Sequence, residues 1–156
     1  MKSNNNRGFS LIELLIVVTI IGIIASIAVP NLLASRRAAN EGSAQQSMRT
    51  ISSCEATYQY TYGNGSYADI ATLGARTLTD SVLATGQKSG YTFVATPIVG
   101  PPAQYWAYAV PVTTSGVGQT GTRRFGISED AVLRGDTTLS APANVAAVKA
   151  MPALGN

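Results

Sequence analysis

Residues 7–30 read Arg7-Gly-Phe-Ser-Leu-Ile-Glu13-Leu-Leu-Ile-Val-Val-Thr-Ile-Ile-Gly-Ile-Ile-Ala-Ser-Ile-Ala-Val-Pro30. From Phe9 to Val29 the only charged side chain is Glu13. As helix at about 1.5 Å per residue, this stretch is roughly 31 Å long, the thickness of bilayer hydrocarbon. An ionised acid at that depth costs on the order of 3 kcal/mol, so a segment that serves only as an anchor has no reason to keep one. The carboxylate marks a function and calls for a partner. The bland alternative is that Glu13 caps the positive end of the helix dipole, an effect under about 1 kcal/mol.

A short polar leader holding Lys2 and Arg7 precedes Gly8-Phe9-Ser-Leu-Ile-Glu13 and the apolar run. Through Pro30 this resembles, almost residue for residue, the N-terminus of type IV pilins and type II secretion pseudopilins. The resemblance implies a fold and a set of roles. The fold is α+β: a long N-terminal helix, half transmembrane and half amphipathic, packed on a roughly four-stranded antiparallel sheet. Prepilin peptidase would cut between Gly8 and Phe9, and the new Phe9 amine would be N-methylated. Glu13 would pair with the Phe9 ammonium of a neighbouring subunit in a helical homo-oligomeric filament. The other implied partners are an inner-membrane assembly platform, its ATPase, and membrane lipid before assembly. The pairing is physically sensible, because cleavage creates a buried cation and an unpaired buried charge of either sign is expensive.

The implied function is a structural subunit of a type IV pilus, with a type II secretion pseudopilin as the alternative. A more remote alternative is a secreted soluble binding protein whose apolar run is a cleaved signal ending near Ala25 to Ala28. The run is too long for a usual signal core, and Glu13 would be out of place in one. The positive-inside rule leaves Lys2 and Arg7 cytoplasmic and sends the chain after Pro30 outward. The resemblance implies as location the inner membrane of a bacterium, and after assembly a surface pilus or a periplasmic pseudopilus.

Charged residues make up 12% of the 156-residue chain and apolar ones 46%, which fits a membrane-anchored, assembling protein. The formal charge of +3 falls to +1 without Lys2 and Arg7, so the basic balance is largely leader and argues for no nucleic-acid partner. One cysteine, Cys54, and no histidine exclude an internal disulfide, a zinc site and a histidine-based nucleophile. Many type IV pilins close their C-terminal segment with a disulfide, and this chain departs from that pattern. Cys54 reads as a small apolar core residue. Asp69, Asp80, Glu129, Asp130 and Asp136 form no dense acidic loop of calcium-binding type. No catalytic residue, cofactor or metal is expected, and the chain does not read as an enzyme.

The organisation follows in four parts: a leader over 1–8, a transmembrane and filament-core helix over 9–30, an amphipathic second half over 31–62, and a globular head over 63–156. Pro30 is expected to kink or loosen a helix that continues past it. Ala44, Met48, Ile51, Tyr58 and Tyr62 make a stripe suited to lie on a sheet. Arg36, Arg37, Glu41, Gln45 and Arg49 fall mostly off that stripe, and Glu55 falls near its edge. Gly63-Asn64-Gly65 stops the helix. Residues 63–90 read as a surface connection with one helical turn around Ala68 to Leu73. Alternation predicts strands at Tyr91–Thr96, Tyr105–Val110, Phe125–Ile127 and Ala131–Arg134. Arg123 and Arg124 read as a solvated pair at a strand start. The tail from Gly135 lacks periodicity and is expected to be loosely ordered or draped on the head.

Overall fold

Helix α1 runs from Leu11 to Thr61 and contains Pro30. The structure is a computed structural model and describes residues 9–155. The expected leader, residues 1–8 with Gly8, lies outside the described residues. The chain forms two units, one ending at Ser35 and one beginning at Arg36.

In the first unit every described residue from Phe9 to Leu32 is exposed. The helix continues through Pro30 as expected. Having no N–H, Pro30 leaves the Ser26 carbonyl without its usual intrahelical donor.

The second unit is built on the C-terminal part of α1. Glu41, Ala44, Ser47, Met48, Ile51, Cys54 and Glu55 are buried along it, at the three- and four-residue steps of one helix face. Tyr58 packs against the same core. Tyr62, expected on this stripe, is instead half exposed because the helix has ended one residue earlier, and the Arg76 guanidinium lies 4.9 Å from its ring centre. The stop is where the sequence predicts it. Asn64 and Gly65 take left-handed φ values of 47° and 90°, and the Gly65 N–H returns to the Gln59 carbonyl at 3.0 Å.

The connection after the helix holds two short helices rather than one turn, α2 at Ile70–Ala75 and α3 at Ser81–Ala84. Each starts on an aspartate. Asp69 accepts from the Thr72 N–H at 2.7 Å, and Asp80 from the Leu83 N–H at 2.9 Å. Leu73 and Leu83, one from each helix, are fully buried.

Five antiparallel strands follow in chain order: β1 Gln87–Lys88, β2 Tyr91–Ile98, β3 Gln104–Pro111, β4 Arg124–Ser128 and β5 Arg134–Asp136. Tyr91, Phe93 and Ala95 on β2, Tyr105, Ala107 and Ala109 on β3, and Phe125 and Ile127 on β4 form one core with the α1 stripe. The unexpected fifth strand is β1, which is two residues long and has no alternation to betray it. The last strand begins at Arg134 rather than Ala131, because Ala131 has a left-handed φ of 55° and cannot extend a strand.

The tail is not loose. Helix α4, Val145–Lys149, lies over β4 on the sheet face opposite α1, with Val148 fully buried and Met151 nearly so. Gly126 makes room for it: a Cβ there would sit 2.8 Å from Val148 Cγ1 and 3.3 Å from Met151 Sδ. The chain then returns to the edge of β5, where Leu154 N–H donates to Leu133 O at 2.9 Å and Gly135 N–H to Pro152 O at 3.0 Å. A few scattered side chains and backbone bonds hold the segment, so no periodic pattern appears in its sequence. Val148→Asp, which sets an unpaired charge on the sheet, is expected to cost several kcal/mol. Denaturant unfolding monitored by Trp106 fluorescence measures it, and an unchanged midpoint would mean the tail does not pack.

Candidate assembly surface and its anchorage

The acid that the sequence singles out sits at the start of α1. Ser10 is the residue before the first helical one, and its backbone N–H donates to Glu13 Oε2 at 2.9 Å. This is one half of a capping box, in which a glutamate at the third helical position reaches back to the N-cap N–H. The local capping role is therefore present in the isolated chain. Its signal, Ser10-x-x-Glu13 ahead of an apolar run, is legible in the sequence, and Ser10 is the residue that reasoning from Glu13 alone passes over. The cap occupies one oxygen with one donor, whereas an ionised carboxylate offers about four acceptor positions. Room for a second, charged partner remains.

Phe9 is 88% exposed, and the leucines, isoleucines and valines from Leu11 to Val29 are all exposed. The other polar side chains in the run are quiet. Thr19 Oγ1 donates to Leu15 O at 2.8 Å and Ser26 Oγ to Ile23 O at 2.8 Å, so both hydroxyls are satisfied within the helix. By length and composition this helix can cross a membrane. Gly22 has open space around its Cβ position.

The C-terminal part of α1 is fastened to the sheet by a buried acid that the sequence places on the polar side. Glu41 Oε1 accepts from the Thr122 N–H and hydroxyl, both at 2.7 Å, and Oε2 accepts from Arg123 Nε at 3.0 Å. Beside it Asn40 Nδ2 donates to Thr120 O at 3.0 Å. Burial alone would push the Glu41 carboxyl up, but the bonds from Thr122 and Arg123 outweigh it and hold the group below its ordinary value of 4.5. No local signal could have revealed this, since the partners lie some eighty residues away in sequence.

The two arginines expected to be solvated are both engaged. Arg123 pairs with Glu41, and Arg124 grips Asp136 through Nε and Nη2, both at 2.9 Å. The five acids considered for calcium have separate duties. Asp69 and Asp80 cap helices, Glu129 pairs with Lys149, Asp130 with Arg134 and Asp136 with Arg124. The Arg134 hydrogen bonds pull Asp130 down to about 2. Cys54 is a buried free thiol in the core that donates to Leu78 O at 2.9 Å, and burial pushes its pKa up.

Residues 3–29 match the family model for the prokaryotic N-terminal methylation motif. The chain is 60% identical over 37 residues to the type IV wide pilus major component PilA4 of Thermus thermophilus, which covers 24% of this chain and 28% of that protein. It is 40% identical over 53 residues to the type IV major pilin protein PilA of Myxococcus xanthus, covering 34% of this chain and 24% of that protein. The chain thus spans about a quarter of the length of the curated relatives it matches. No solved structure matches.

Glu41→Gln is expected to lower the stability of the globular unit by about 1–3 kcal/mol at neutral pH, the worth of charge-assisted bonds. A carboxyl held low in the folded state contributes stability that is full above pH 4.5 and is lost as pH falls through the folded value. Denaturant midpoints measured from neutral to acid should therefore converge for variant and parent at low pH. A constant gap down to the lowest pH would overturn the assignment.

Proposed function

We propose that this chain, whose N-terminal segment matches the methylation motif and is similar to two type IV pilins, belongs to the type IV pilin family and is a structural subunit of a type IV pilus. One observation carries the reading: a lone acid at the start of a helix whose apolar side chains have no cover in the isolated chain. Residues 1–8 are then a leader that prepilin peptidase removes after Gly8, and the exposed Phe9 amine is N-methylated. Residues 9–30 rest in the inner membrane with Lys2 and Arg7 on the cytoplasmic side, and later form the filament core. Residues 31–62 carry the globular part, 63–156, outside the cytoplasm.

In the filament, Glu13 receives the Phe9 ammonium of a neighbouring copy while it keeps its bond to the Ser10 N–H. Two buried charges of opposite sign satisfy each other only when adjacent subunits are correctly staggered, so the pair acts as a register. Energy for extraction and stacking comes from an inner-membrane platform and its ATPase. Pro30 supplies a weak point: with the Ser26 carbonyl already short of a donor, unwinding one turn there costs less than elsewhere in the helix. The chain has no catalytic role in this reading, since the bond-breaking at Gly8–Phe9 belongs to the peptidase.

Glu13→Ala is expected to be cleaved and inserted normally yet to assemble poorly. An ammonium left buried without its partner costs about 3 kcal/mol, roughly a hundredfold in the assembly equilibrium. Sheared surface filaments quantified against the membrane pool read this directly, and normal fibre yield would reject the register. Gly8→Ser should leave the precursor uncut, because the peptidase junction needs the small residue. A mature-sized band on a gel would contradict it.

A further inference from the structure

Helix α1 buries two glutamates in the globular unit, and their surroundings are opposite. Glu41 meets two donors from Thr122 and the Arg123 guanidinium. Glu55 is fully buried and meets one: its Oε2 accepts from the Ala68 N–H at 3.0 Å. Its Oε1 is buried with no hydrogen-bond partner among the described residues.

The groups that feel Glu55 electrostatically are Cys54 beside it on α1, Tyr67 and Asp69 on the connection that follows, and Tyr105 on β3. None is a cation. Tyr105 turns its hydroxyl to Ser52 Oγ at 3.1 Å, and Asp69 is committed as the N-cap of α2. An anion at Glu55 would thus sit in the dark with one neutral donor and an ionised aspartate for company. A neutral carboxyl fits the same space at far lower cost.

The bond to Ala68 is also what ties the chain down as it leaves the helix stop. Ala68 is buried, Tyr67 packs on Tyr105 with ring centres 4.7 Å apart and planes tilted by 48°, and Asp69 opens α2. Further along, Leu78 O accepts a hydrogen bond from the Cys54 thiol at 2.9 Å. The end of α1 and residues 67–78 are therefore joined across a seam in which Glu55 holds the central polar contact.

We propose that Glu55 is a proton-operated latch: its neutral carboxyl seats the segment Tyr67–Leu78 on the end of α1, and its ionisation weakens that attachment. Burial, with the nearby Asp69 charge adding to it, pushes Glu55 up to about 7 against an ordinary 4.5, while the Ala68 N–H pulls weakly the other way. A carboxyl raised in the folded state contributes stability that is full below the unfolded value and is lost as pH rises through the folded one. The latch is tightest below pH 4.5, loosens between 4.5 and about 7, and changes no further above that. A filament carrying it would hold this surface segment firmly in acid and release it toward neutrality.

The test is amide hydrogen exchange of the full chain in detergent micelles across that pH range, with intrinsic rates divided out. Opening at Ala68 should rise roughly tenfold per pH unit between 4.5 and 7 and then level off, as one proton per opening requires. In Glu55→Gln, which keeps an acceptor for Ala68 but cannot ionise, the profile should be flat. A flat profile in the parent, or an unchanged slope in the variant, overturns the latch. Should the variant fail to fold, carboxyl carbon NMR of Glu55 in the parent decides: a midpoint near 7 supports the proposal, and one near 4.5 removes it.

Discussion

Apolar surface that a protein does not cover for itself must be covered by lipid or by another protein. In this chain that surface is a helix carrying Leu, Ile and Val on every side from Leu11 to Val29. Each such side chain gains about 1.5–3 kcal/mol on full burial, so the segment has a strong drive toward cover and little preference among apolar ones. Lipid and neighbouring helices are nearly equivalent in this respect. The discriminating group is the acid at the start. Within the chain Glu13 has its bond to the Ser10 N–H, and in the filament proposed above a neighbouring copy's ammonium would supply the opposite charge. In that proposal cover is hydrophobic and register is electrostatic.

The same logic governs the globular unit with the charges inside a single chain. Glu41 is surrounded by donors and a guanidinium, remains ionised, and pins the helix to the loop before β4. Glu55, about four turns on, has one donor and no cation beside it among the described residues, and its neutral form is favoured. One residue type on one helix thus serves as an ionised clamp at one position, released only in acid, and as a contact weakened by ionisation at another. The difference lies wholly in what other elements bring to each carboxyl.

Most of the surface charge is consumed locally. The pairs Lys88–Asp80, Arg124–Asp136, Arg134–Asp130 and Lys149–Glu129 brace turns, strand ends and the returning tail. Exposed pairs of this kind are worth little individually. Arg124 and Asp136 differ, since two parallel bonds at 2.9 Å join β4 to β5 at their ends. The tail is helped by this bracing because it buries few apolar side chains of its own, Val148 and Met151.

Patterns that repeat along the chain were readable without coordinates. The apolar run with its single acid, the stop at Gly63-Asn64-Gly65, the inward alternation of Tyr91, Phe93 and Ala95, and the core position of Cys54 all express local periodicity, local backbone preference or side-chain polarity. Those are properties each segment has before it meets any other. Contacts made by isolated residues were not readable: the burial of Glu41 and Glu55, the engagement of Arg123 and Arg124, the two-residue strand β1, and the seat that Gly126 provides for Val148. Each depends on which distant segment arrives opposite, and a side chain's charge, burial and hydrogen bonding are set by that arrival. The linear order of residues determined the elements and the uncovered apolar segment with its acid, while the tertiary packing decided which buried acid is held ionised, which is held neutral, and that the tail is held.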